Sequence, residues 1–241
     1  LVTQEHVDEL LKVNANYACV MPFGFIRDLK SPEIIFNSER QWFGETVNGV
    51  QQYIGVLQKK GIQIMVKPQI WIWRGEFTGK LQMATEEDWK ILEESYEKFI
   101  LAYAVAAQDA RAPLFCVGTE LEKFVQNRPE YWQELIKKIR KVYHGKLTYA
   151  ANWDEYTKIP FWDKLDYIGV DAYFPLSNSK TPSLEQLREG WEKDKEKLEA
   201  LSKKMNKPIL FTEFGYRSCD YTAWKPWLVE RNDTAINLQG Q

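Results

Sequence analysis

Two glutamates directly follow apolar runs: Glu120 in "LFCVGTEL" (114–121) and Glu213 in "ILFTEFGY" (209–216). Carboxylates at the ends of buried strands do nothing for a core, because burying an unpaired charge costs far more than apolar packing recovers. If both enter one mouth, they can divide labour as general acid/base and nucleophile, the pair that retaining glycosidases use with carboxyls ~5 Å apart. The acid of such a pair needs burial and a neighbouring carboxylate to keep its proton, whereas the nucleophile must stay ionised through hydrogen bonds. Tyr173 and Arg217 are candidates for holding Glu213 charged. The alternative for each glutamate is a structural carboxylate paired with an interior cation such as Lys67.

Other polar and aromatic residues gather where apolar runs end. "KPQIWIW" brings Trp71 and Trp73, and "NWDEY" brings Asn152 and Trp153. Indole rings can pack on the apolar faces of pyranose rings while the sugar hydroxyls seek polar partners. Packing between loops and helices is the competing explanation for each Trp. Asn152 can bind a sugar hydroxyl or simply make a turn. Asp171, directly after "YIGV", is placed to orient Tyr173 or to satisfy backbone groups at a loop start. Trp42, Trp89, Trp132 and Trp191 lie in or beside helical patterns and are assigned to structure.

Positioning these groups requires a scaffold, and its pattern is an alternation of short apolar runs with helical stretches. The runs are "YACVM" (17–21), "IQIMV" (62–66), "LFCV" (114–117), "LTYAA" (147–151), "YIGV" (167–170) and "ILFT" (209–212). Consecutive apolar residues of this kind suit parallel strands covered on both faces. Between them, Val47, Val50, Ile54 and Leu57 form a helical stripe ending at Gly61. Thr85 with Asp88 caps a second helix, whose buried face is Leu92, Tyr96, Phe99 and Tyr103. Pro129 opens a third with Trp132, Leu135, Ile136 and Ile139 inward, and Ser183 with Gln186 opens a fourth whose charge run is a solvated face. A doubly wound open sheet would carry a nucleotide fingerprint after its first strand. With no GxGxxG or P-loop in the chain, a (β/α) barrel with working groups at the strand ends is the expected architecture.

The totals agree with a single barrel domain over 1–241 and exclude several function classes. There are 241 residues, of which 44% are hydrophobic, and 32 Lys+Arg nearly balance 34 Asp+Glu without a basic face, so nucleic acid is not an expected partner. Ten Trp, twelve Tyr and twelve Phe exceed the needs of an aliphatic core, which points to a groove lined with rings. His6 and His144 lack ligand-like spacing with Cys or acidic clusters, so neither a metal nor another cofactor is expected. Cys19, Cys116 and Cys219 suggest no disulfide framework, and the first two sit in apolar runs as small hydrophobes. No apolar run reaches membrane-span length, and "LVTQEHVDELLKVNA" reads as an amphipathic helix. Secreted, periplasmic and cytoplasmic locations all stay open.

The segments "GTEL" (118–121), "IGVDAYFPL" (168–176) and "FTEFGYRS" (211–218), in this order, resemble the retaining glycoside hydrolases of clan A, and most of all glycoside hydrolase family 113, chiefly β-1,4-mannanases. The resemblance runs over essentially the whole chain. It implies a (β/α)8 barrel with the acid/base after strand four, here Glu120, and the nucleophile after strand seven, here Glu213. Tyr173 matches the position from which such barrels support the nucleophile. Many clan members place Asn before the acid/base to bind the sugar 2-hydroxyl, and here Thr119 stands there. On that count the six runs are strands two to seven, so strands one and eight are expected to be missing and the chain truncated at both ends. The implied partner is β-mannan or a related polysaccharide. A catalytically silent sugar-binding barrel, a β-glucanase and an exo-β-mannosidase are the alternatives.

Overall fold

The computed structural model describes residues 4–228 and 235–239. The first three residues of the opening amphipathic stretch, the last two of "INLQGQ" and the side chains of residues 4–6, His6 among them, lie outside the described set. The chain divides into two compact units, Leu1–Ala150 with Lys158–Asp166, and Ala151–Thr157 with Tyr167–Gln241.

All six apolar runs form strands. In the first unit β1 (Tyr17–Val20), β3 (Gln63–Val66), β5 (Leu114–Thr119) and β6 (Lys146–Asn152, in this unit as far as Ala150) pair in that order, every pair parallel. In the second, β7 (Ile168–Asp171) pairs in parallel with β8 (Ile209–Glu213). Two strands go beyond the sequence expectation. After β1 and β3 the chain bends and continues as β2 (Phe23–Ile26) and β4 (Gln69–Ile72), which make their own parallel pair. "KPQIWIW" therefore holds a strand, not only a strand exit. The ladder bonds that form it come from residues 23–26, over forty positions away, and no local pattern announces them.

The helices follow their caps. Helix α2 (Val47–Gln58) buries Val50, Ile54 and Leu57, and the chain turns off it through Gly61 at φ +77°. Helix α3 (Glu86–Asp109) starts where the Thr85 hydroxyl accepts the Asp88 N–H at 3.1 Å, and it buries Leu92, Tyr96, Phe99 and Tyr103. Short α4 (Glu122–Asn127) precedes α5 (Pro129–Val142), whose Trp132 is fully buried. Around Trp132 lie Tyr96, Phe124, Tyr149 and Phe161, with ring centroids 5.3–5.7 Å away, the last of them stacked. Helix α6 (Leu184–Met205) opens with the expected Ser183/Gln186 capping box and buries only Leu198, as a solvated charge run should. Helix α1 spans Gln4–Lys12. No helix among the described residues is long and apolar enough to cross a membrane.

Two assignments fail. Trp42 is 73% exposed, because it precedes a single 3₁₀ turn (Phe43–Glu45) rather than lying on a helix with a face to bury. Cys19 is exposed rather than core. Strand side chains alternate between faces, and β1 presents Tyr17 and Cys19 on its open face with Val20 buried on the other.

Candidate active site

At the end of β5 the ladder is irregular. Cys116 pairs with Thr148 and Thr119 with Ala150, so Val117 and Gly118 together stand opposite Tyr149 alone. Such a bulge bends the strand and re-aims the residues that follow. The bulge is tied down by the Tyr96 hydroxyl, which donates to the Val117 carbonyl at 2.9 Å, and by the Cys116 thiol, which donates to Gly118 O at 3.1 Å. Only glycine fits at 118: a Cβ there would lie 2.7 Å from the Trp132 ring and 2.9 Å from the Tyr96 hydroxyl.

Glu120 follows with φ +50°, a left-handed conformation that residues with a Cβ seldom adopt. Its N–H donates to Ala150 O at 2.8 Å, its own carbonyl accepts the Thr78 hydroxyl at 3.2 Å, and the next N–H, of Leu121, donates to the Tyr149 hydroxyl at 2.7 Å. Thr119, the last residue of β5, is buried with its hydroxyl 3.9 Å from the Cys116 sulfur. Lys67 directly follows β3 and is fully buried, with its backbone N–H on Val20 O. Trp71 sits on β4, 48% exposed and edge-on to Phe23 of β2, and Trp73 is 69% exposed in the turn beyond.

In the second unit β8 carries a matching irregularity. Val170 pairs with Phe211 and Asp171 with Glu213, which leaves Thr212 as the extra residue. The Thr212 hydroxyl donates to Asp171 Oδ1 at 2.7 Å, and Asp171 is fully buried. The Tyr173 hydroxyl donates to Glu213 Oε2 at 2.9 Å, while Tyr173's N–H is held on the Asp171 carbonyl and Ala172's on the Glu213 carbonyl. Asp171, Tyr173 and Glu213 thus come together as expected. Arg217 Nη1 donates to the Leu228 carbonyl at 2.9 Å.

Asn152 makes a turn: its Oδ1 accepts the Trp153 N–H at 2.9 Å, and its own N–H donates to buried Glu155 Oε2. Trp153 stacks on Trp227 with centroids 5.1 Å apart and planes 17° off parallel, and it meets Phe174 edge-on. Trp227 and Glu155 were missed in the sequence. The run "AWKPW" was the available signal for the first; nothing local distinguishes the second from a surface acid. Behind β8, a cavity of about 290 Å³ lined by Phe174, Trp191, Phe211 and Tyr216 is apolar. Burial, helped by the Asp194 charge, pushes the Tyr216 phenol up to about 12, so it stays a neutral donor to Phe174 O.

Comparison with known proteins follows this geometry. The model of glycoside hydrolase family 113 matches residues 2–241. The family 113 β-mannanase AaManA from Alicyclobacillus acidocaldarius, determined in complex with ManMIm, superposes with a TM-score of 0.86 at 22% identity, covering 99% of this chain and 74% of that one. Two further structures of family 113 β-1,4-mannanases give 0.85 at 24% and 0.83 at 25%, each covering 99% of this chain and 75% of the other. No curated protein sequence matched the chain.

Proposed function

Because the chain belongs to glycoside hydrolase family 113, matched over residues 2–241, we propose that this glycoside hydrolase is an endo-acting β-1,4-mannanase that cleaves mannan or glucomannan with retention. The substrate class follows the mannanases it resembles. The observation that carries the mechanism is the Tyr173 hydroxyl on Glu213 Oε2 at 2.9 Å, since a hydrogen bond to the ionised form favours a carboxylate ready to attack.

On this reading the six expected runs are strands two to seven of an eight-stranded barrel. Glu213 attacks the anomeric carbon while Glu120 gives its proton to the departing glycosidic oxygen, which leaves a covalent glycosyl-enzyme. Glu120, now ionised, takes a proton from water as that water attacks the same carbon and Glu213 departs, so both carboxyls return to their starting states. The chemistry calls for carboxyls about 5 Å apart. Tyr173 holds the nucleophile, and Asp171 fixes the strand residue before it through Thr212. Trp71, Trp73 and Trp153 offer indole faces to sugar rings, Asn152 shapes the loop that carries Trp153, and Thr119 takes the place of the 2-hydroxyl ligand. Lys67, buried directly after β3, and Arg217, four residues beyond Glu213 with Nη1 on the Leu228 carbonyl, are read as supporting cations.

The test is release of reducing ends from glucomannan by the full chain and by Glu213→Gln. A fall of at least about a thousandfold is expected for loss of a nucleophile. Equal activity in both proteins sinks the assignment.

A further inference from the structure

Glu120 holds a strained backbone, and strained residues persist only where surrounding contacts over-determine them. The peptide that follows Glu120 is gripped at both ends, its C=O by the Thr78 hydroxyl at 3.2 Å and its N–H, on Leu121, by the Tyr149 hydroxyl at 2.7 Å. The shorter of these bonds comes from a fully buried ring on β6, set edge-on to Trp132, Phe161 and Trp162. Three aromatic neighbours thus fix the phenol oxygen with little freedom to follow a moving chain. Tyr149 is also the residue that stands alone opposite the bulge of β5.

We propose that Tyr149 is a positioning residue for proton transfer by Glu120. Its hydroxyl anchors the Leu121 N–H and so locks the left-handed turn that aims the Glu120 carboxyl. This inference rests on the reading of Glu120 as the acid/base. Without the hydroxyl, the peptide after Glu120 loses the shorter of its two bonds and keeps the longer one from Thr78, and Glu120 can relax toward negative φ. That relaxation swings its Cα–Cβ bond away from the position proton transfer requires.

The experiment compares Tyr149→Phe, Glu120→Ala and Tyr143→Phe in the full chain. Two substrates are used, a mannooligosaccharide, whose sugar leaving group needs protonation, and dinitrophenyl β-mannobioside, whose leaving group does not. Tyr143→Phe is the stability control, because it deletes an equally buried hydroxyl, bonded to Ala112 O at 2.6 Å before β5 begins. The expected result for Tyr149→Phe is a loss of about tenfold or more in kcat/KM on the oligosaccharide, within the range misplacement of a reacting group produces, with less than about a threefold change on the activated glycoside. Glu120→Ala should show the same split, enlarged, and Tyr143→Phe should show none. If Tyr149→Phe lowers both substrates equally, or if Tyr143→Phe reproduces its split, Tyr149 is structural only and the proposal is overturned. If Glu120→Ala shows no split, the acid/base reading of Glu120 itself falls and takes this inference with it. Melting curves of each variant confirm that the assay temperature lies below unfolding.

Discussion

At the end of β5 two residues face one across the ladder, and the chain then turns left-handed at Glu120 with its peptide groups held by Ala150, Thr78 and Tyr149. At the end of β8 a single extra residue, Thr212, is tied to Asp171, and Glu213 stays on the strand with its carboxylate on the Tyr173 hydroxyl. Both carboxylates follow a bulge, yet the hydrogen bonds that hold them differ in kind. At Glu120 the neighbouring peptide groups are held by Ala150, Thr78 and Tyr149, and at Glu213 a hydroxyl is aimed at the carboxylate itself. On the proposed reading Glu120 cycles between protonated and ionised states, and an anchor on its peptide favours neither state. On the same reading Glu213 must stay ionised as the nucleophile, and a donor aimed at its oxygen favours that form.

The contrast can be broken from either side. The largest effect is expected at Gly118→Ala, whose methyl group would overlap Trp132 and the Tyr96 hydroxyl. Overpacking of this kind costs about 1–3 kcal/mol, readable by urea unfolding. It should also lower kcat, because the β5 bulge cannot keep its shape. Unchanged stability would show that the bulge yields easily and does not set Glu120. Tyr173→Phe should leave stability nearly intact and lower kcat by about tenfold to a hundredfold, less than the loss of a donor to a transition-state oxyanion costs. A change confined to KM would place Tyr173 on the sugar instead of on Glu213.

A smaller effect separates stability from chemistry at acid pH. Burial works against the charge of Asp166, but bonds from Arg140, the Leu147 N–H and Lys146 outweigh it and hold the carboxyl below its ordinary value. A depressed folded pKa contributes stability that is fully present above the unfolded pKa and is lost as pH falls through the folded one. Asp166→Asn should therefore cost about 1–2 kcal/mol near neutral pH, and the gap from the parent protein should close as pH drops below the usual carboxylate range. Urea midpoints measured across that range check it. A gap that stays constant with pH would mean the Asp166 ion pairs contribute little.

Much of this was legible in the sequence. Six apolar runs became six strands within a residue or two at each end, and the Thr85, Pro129 and Ser183 helix starts lie where capping chemistry put them. The nearness of Tyr173 to Glu213 was also anticipated, since both leave neighbouring strands. Trp42 and Cys19 went wrong because a residue's neighbours in sequence say little about which face is covered. The β2/β4 pair and the Trp153–Trp227 stack were missed for a related reason: each needs a partner tens of residues away.

The amino-acid order by itself determined the strand and helix periods, the caps and the two carboxylates at strand ends, because these follow from side-chain alternation and from chemistry within one turn of chain. Tertiary structure alone decided the bulges, the left-handed turn at Glu120 and the hydroxyls that hold them. A strained backbone exists only where atoms from distant segments make every alternative worse. For Glu120 those atoms belong to Thr78, Tyr149 and Ala150, and none of them lies near it along the chain.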